Sequence, residues 1–244
     1  MHNAALDRAP IAEWSGDAYR LIPSRFPPVN VYEGLIANDR LDDVYAAENL
    51  TNPRIRSFDR LAATRGGDAS SDPSLQNWNL APFAYGNPDG TLFFDEMRPC
   101  LELAGDRQTA LAVSVARRER FLENTQEAPI GLDMRLLLHP VSGRFWDLRG
   151  IEPLIAAEEL KQRREIAAGM PDEAQGILYN PPERPAGTSI AVITGDVLGR
   201  SVQTVHFRYV WDGRRIALLY AFDEKGTEIR REDLSRPENI SVAA

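Results

Sequence analysis

The sequence predicts an α+β fold, a single domain built on a twisted, mixed β-sheet with flanking helices. Three observations carry that prediction. Apolar runs of strand length crowd the second half of the chain, at 132–141, 175–182, 188–194 and 203–223, with turn-forming segments between them. Helical periodicity is confined to 40–55, 106–124 and 152–170, so strands and helices do not alternate as βαβ units require. The chain of 244 residues, 43% hydrophobic and 26% charged, is long enough to bury a core without cross-links.

In chain order, residues 1–17 read as a lead-in, 18–223 as the domain and 224–244 as a C-terminal tail. A short strand is expected over 19–23, where Pro23, Pro27 and Pro28 exclude a helix interior. Val44, Ala47 and Leu50 recur at helical spacing over 40–51, and Asn52-Pro53 ends the pattern. The Gly/Ser/Asp-rich stretch 64–79 is a loop by composition, and Pro88-Asp89-Gly90 marks a turn before an apolar run. A helix over 106–124 starts from Asp106 as N-cap. Strands are expected at 132–139, bounded by "SGRFWDL", then at 176–180 and 188–194, with a charged helix at 152–170. The 203–220 segment reads as a hairpin across Asp212-Gly213.

Composition also excludes function classes. Net charge is −8, the isoelectric point is about 5.0 and no segment concentrates Lys and Arg, so the footprint of direct nucleic-acid binding is missing. The N-terminus has no apolar signal-peptide core and no run approaches a membrane span, which predicts a cytoplasmic protein with no membrane partner. Cys100 is the only cysteine, so neither an intramolecular disulfide nor a cysteine zinc site can form. His2, His139 and His206 are too few and too scattered for a metal cluster, and His206 reads as a structural or surface residue. "RGGD" lacks the Lys-Ser/Thr of a phosphate loop, and no G-x-S-x-G elbow is present. Trp14, Trp78, Trp146 and Trp211 read as packing anchors. Neither a metal nor a cofactor is expected from these residues.

Several segments in order, "YRLIPSRFPPVNVYE", "AAENLTNPRI", "NPDG", "ARRERFL", "LDMRLLL", "WDLRG", "GILYNPPERPAG" and "HFRYVWDGRRI", resemble RES-domain proteins from about Tyr19 to Ile216. The resemblance implies an ADP-ribosyltransferase-like fold and a bacterial toxin–antitoxin setting, with an Xre-like antitoxin as partner and a homodimer as the assembly. It implies NAD as substrate, degraded by phosphorolysis or hydrolysis or used as an ADP-ribose donor. The family pocket takes its set from arginines, a glutamate, a tyrosine and a serine. Breaking a nicotinamide–ribose bond builds positive charge on the ribose, which a carboxylate stabilises, while arginines hold the diphosphate.

Carried onto this sequence, the first arginine falls on Arg20, with Arg25 as the alternative. The other positions depart from the pattern. The second pocket arginine falls on Leu92, the tyrosine on Glu102, the glutamate on Val113 and the serine on Pro181, with Glu183 where a further arginine stands. The expectation is an emptied site with catalysis impaired or lost, or a non-catalytic binding or regulatory protein on the same fold. Glu102 and Arg98 are close enough in sequence to build a different site.

Overall fold

The computed structural model describes residues 4–24, 77–84, 87, 89–155, 158–223 and 225–240. The helix expected over 40–51 and the alternative arginine, Arg25, lie outside the described residues. Eight strands form one mixed sheet: β1 (Ile11–Pro23), β2 (Leu101–Ala104), β3 (Ile130–Asp147), β4 (Gly176–Tyr179), β5 (Ser189–Val192), β6 (Val202–Trp211), β7 (Ile216–Ala221) and β8 (Glu228–Arg230). The helices are α1 (Ala4–Asp7), α2 (Asn77–Ala84), α3 (Arg107–Asn124), α4 (Glu152–Ile155) and α5 (Leu160–Ala167). The fold class matches the sequence reading.

The strands run in the order β1-β2-β5-β4-β3-β6-β7-β8, and β1 also pairs with β3. Strands β1, β2, β5, β4 and β3 therefore close on themselves, while β6, β7 and β8 extend the sheet outward. The pairing of β1 with β3 is antiparallel over all 13 residues of β1, from Ile11 opposite Trp146 to Pro23 opposite Met134. The closing link is a single pair, Tyr19 opposite Ala104. Among the described strands, only β3 and β4 pair in parallel.

Two elements are longer than the sequence suggests. Strand β1 begins at Ile11, inside the expected lead-in, because its partner β3 runs through "SGRFWDL" instead of stopping there. Gly143 makes that continuation possible: a Cβ there would meet Val197 Cγ1 at 2.7 Å and Gln175 Oε1 at 2.9 Å. The expected helix over 152–170 is described as two pieces, α4 and α5. Helix α3 starts as expected, with Asp106 Oδ1 accepting from Thr109 N at 2.8 Å. The hairpin between β6 and β7 turns at Gly213, whose φ of 97° favours glycine. The short strands β2 and β8 are not visible as periodic runs.

Three apolar clusters fill the fold. One lies between α3 and the β6–β7 face, around Leu111, Val115, Phe207 and Leu219. A second gathers Phe93, Phe94, Trp146 and Tyr179 under α5, and a third fills the closed strands around Leu101, Phe145 and Val192. Trp146 and Trp211 are buried anchors, the latter donating its Nε1–H to the Glu127 carbonyl at 2.9 Å. His206 bonds Ser24 and Gln203 and serves structure.

The expected C-terminal tail is part of the fold. After β8 comes a 3-10 turn (Arg231–Ser235) and then a strap to Ile240 that lies on the first turn of α3. Arg184, 2% exposed, holds the junction. It donates to Asp106 Oδ2 (3.2 Å), Thr109 Oγ1 (2.8 Å), the Arg236 and Pro237 carbonyls (3.1 Å each) and Asn239 Oδ1 (2.8 Å). Gly187 allows this crowding, since a Cβ there would lie 2.1 Å from Thr109 Oγ1.

Replacing Arg184 removes five side-chain hydrogen bonds of a buried guanidinium at once, so Arg184→Met is expected to cost about 3 kcal/mol of stability in urea unfolding. A loss below about 1 kcal/mol would show that the strap is held by other contacts. A second expectation concerns His139, which is fully buried and bonded to Ser201 (2.6 Å) and Asn79 (2.9 Å). Burial, then the nearby Arg20 charge, push its pKa down to about 3. The unfolded chain takes up a proton near pH 6.5 while the folded one does not, so stability falls as pH drops below that value. Urea midpoints measured between pH 7 and 5 should decline, and His139→Gln should flatten the decline. An equal slope in that variant would assign the effect to other groups.

Candidate functional site

A cavity of about 170 Å³ opens between β1, β2 and α3. Helix α3 contributes Ala110, Val113, Ser114 and Arg117, spaced by three and four residues and so on one face. Arg118 flanks them. Strand β1 gives Tyr19 to Pro23, β2 gives Glu102 to Ala104, and β4 and β5 add Tyr179 and Ser189.

The charges here are unevenly paired. Arg117 of α3 forms a close ion pair with Glu102 Oε2. The Glu102 side chain is only 10% exposed, and its other oxygen, Oε1, is sealed from solvent with no hydrogen-bond partner. A buried acceptor left open costs about 1–3 kcal/mol, so this oxygen is suited to a donor brought by a ligand. Arg20 is half-buried beside it and makes no hydrogen bond or ion pair. Desolvation, then repulsion by Arg117, lower its pKa to about 10, which leaves it charged at neutral pH. Glu102 raises the pKa of Arg117, and burial lowers that of Arg118.

Two neutral groups border these charges. Tyr179 is buried, stacks edge-on against Phe93 at 4.8 Å and keeps its proton, since burial and then Glu102 push its pKa well up. Cys100 is bonded to Thr91 Oγ1 at 3.3 Å and pushed up to about 12, chiefly by burial. It is a thiol, not a thiolate nucleophile. No cluster of metal-ligating side chains occurs among the described residues.

Such a cavity offers guanidinium donors to phosphate oxygens and one free carboxylate oxygen to a hydroxyl or a developing positive charge.

Of the residues singled out in the sequence, Arg20, Glu102 and Val113 meet in this cavity. Val113 is half-buried on the lining face of α3, in register with Arg117 one turn later. Leu92 does not reach the cavity and packs against the Phe93 cluster. Pro181 is buried outside the lining, its carbonyl accepting from Arg184 N at 3.1 Å. Glu183 does not line the cavity and acts on Tyr179 and Arg117 through its charge. The suggested pairing of Glu102 with Arg98 does not occur: Arg98 is exposed and lies 4.9 Å over the Phe94 ring. Arg117, Arg118 and Tyr179 escaped the sequence reading. The signal for Arg117 was available, because it lies four residues beyond Val113 on the same helical face.

The comparisons agree with the segment order. The model of the RES domain matches residues 72–212, more than half of the chain. A relative described as the uncharacterized protein y4oC of Sinorhizobium fredii (strain NBRC 101917 / NGR234) is 58% identical over 216 residues, covering 88% of this chain and 92% of the relative. In the crystal structure of the M. tuberculosis MbcT–MbcA toxin–antitoxin complex, one chain superposes with a TM-score of 0.40 at 17% identity, over 82% of this chain and 90% of that one. At that score the two architectures correspond only loosely. The family match and the close relative place the chain plainly: it belongs to the RES domain family.

Proposed function

We propose that this protein is a RES-family member of a toxin–antitoxin system that binds NAD in the β1–β2–α3 cavity and cleaves it slowly, with Glu102 as the working carboxylate. The observation that carries the reading is the buried Glu102 Oε1, left without a hydrogen-bond partner, in the same cavity as Arg20, which makes no hydrogen bond or salt bridge among the described residues. The carboxylate that the resemblance places on the helix at Val113 is supplied here from β2, across the same cavity. Arg20 and Arg118 hold the diphosphate, and Oε1 accepts from a ribose hydroxyl and faces the positive charge that grows as the glycosidic bond breaks. Arg117 limits the rate: its charge neutralises part of the field that Glu102 presents. Catalysis is thus impaired but not abolished. Family membership supports an antitoxin partner, of the Xre-like kind that the resemblance implies, and a homodimer.

A second reading, binding without turnover, draws on one observation: Glu102 is already engaged by a cation, and Val113 adds none of the chemistry expected at its position.

NAD consumption by the purified protein, with and without phosphate, separates the two. We expect slow consumption, lowered at least about a hundredfold in Glu102→Gln, as for loss of a group that acts on transition-state charge. NAD that binds but is never consumed would establish the second reading. Arg20→Ala is expected to weaken NAD binding by roughly tenfold or more, the worth of a charge-assisted contact of about 1.5–3 kcal/mol. Unchanged binding in that variant would remove the cavity as the site. For the partner, co-expression with a neighbouring Xre-like gene should give a co-purifying complex, and a strict monomer in light scattering would overturn the dimer.

A further inference from the structure

A second cavity, of about 250 Å³, lies beside the first, and Tyr19 lines both. Its other walls come from the first turn of α3, chiefly Arg107 and Gln108, and from Asn239 and Ile240 of the C-terminal strap. The strap falls outside the family match, which ends at residue 212.

The strap is clamped in a defined pose. Gln108 Nε2 donates to the carbonyls of Asp233, Leu234 and Arg236, while its Oε1 accepts from Ile240 N at 2.9 Å. Arg184 Nη2 donates to Asn239 Oδ1 at 2.8 Å. A guanidinium has only donors, so the Asn239 amide must turn its oxygen inward, and its NH2 group is the free end. Asn239 is exposed on that wall, and its amino group makes no hydrogen bond. The Arg107 guanidinium, which also lines the cavity, lies over the Tyr19 ring, 5.6 Å from its centre. The cavity thus combines an aromatic ring, a planar cation and a fixed pair of N–H donors.

We propose that this second cavity is a purine subsite that receives the adenine end of the dinucleotide, with Asn239 Nδ2 donating to a ring nitrogen. The proposal rests on the reading of the first cavity as the cleavage site. If Glu102 faces the scissile ribose, the leaving nicotinamide belongs in the first cavity, and the second is left for the other base. Ring chemistry points the same way: adenine is a neutral aromatic that stacks on the tyrosine lining this cavity and offers ring-nitrogen acceptors to the Asn239 amide. Tyr19, shared by both cavities, lies where the dinucleotide passes from one to the other.

The test is equilibrium binding of ADP and of nicotinamide mononucleotide to the full chain. Asn239→Asp keeps a partner for Arg184 and removes the free donors, so the fold is retained. It is expected to weaken ADP about fivefold or more and to leave nicotinamide mononucleotide within about twofold, as for loss of one hydrogen bond in one subsite. Arg107→Ala should act in the same direction on ADP. Equal weakening of both ligands by Asn239→Asp, or weakening of nicotinamide mononucleotide alone, would overturn the subsite and leave the first cavity standing. A wild-type protein that binds ADP with an affinity indifferent to Asn239→Asp would do the same. A wild-type protein that binds neither nucleotide nor NAD would overturn the dinucleotide reading and the subsite together.

Discussion

The long antiparallel ladder between β1 and β3 is the constraint on which the other parts depend. Its register places Ala18 opposite His139 and Arg20 opposite Leu137, so Arg20 shares a face with a fully buried alanine. Side chains alternate faces along a strand, and a slip by one residue would exchange Arg20 for Tyr19 or Leu21. The same register sets Tyr19 against Ala104, the single pair that closes the ring of strands and brings β2, with Glu102, alongside β1. A basic side chain is thereby held against the entrance of an apolar interior, where desolvation leaves its charge strong and in want of an anion. Fold closure and site chemistry here come from one pairing.

The helix across the cavity is set from its N-terminus. Asp106 caps it, Arg184 bonds that cap and Thr109, and Gln108 ties the first turn to the strap. Fixing both the cap and the first turn fixes the rotation of α3, and hence which side chains at three- and four-residue intervals face β1. Ala110 and Val113 leave room, and Arg117 reaches back to Glu102. A buried arginine with five donors satisfied is costly to assemble, and that cost is met by carbonyls of the strap, which have no sheet partner of their own.

Much of this was legible in the sequence because it is local. The cap at Asp106, the turn at Asp212-Gly213 and the apolar runs of β4, β5 and β6 are written in adjacent residues, and each forms close to where it was expected. What was not legible depends on distant partners. Strand β1 starts seven residues before the expected domain boundary at 18, since nothing in "IAEWSGD" announces that β3 will run opposite it. Gly143 lies in the segment expected to bound the strand at 132–139, and in the fold it leaves room for Val197 instead. At the site, Arg20 was found from its local match, and Val113 and Glu102 were located at the cavity by position. The assignment of Leu92 and Pro181 to a pocket did not carry over into space, since one packs under Phe93 and the other lies behind the lining. A gapless register ties each substituted residue to a lost function, but function in a cavity belongs to positions in space that several chain segments can reach.

That distinction changes how the substitutions combine. Read one at a time from the resemblance, glutamate at the position of its tyrosine and valine at the position of its glutamate count as two losses. In the cavity they are one exchange, in which the strand gains the carboxylate that the helix lacks. The exchange is not neutral, because a carboxylate on β2 comes within reach of Arg117, and a close ion pair replaces a free anion. The pair leaves only one Glu102 oxygen unsatisfied, and Arg117 lowers the negative potential that this carboxylate presents to the cavity. Arg20 and Arg118 line the same cavity as the open carboxylate oxygen, so its walls present guanidinium donors and one acceptor side by side, the chemistry that suits an anionic group next to a hydroxyl.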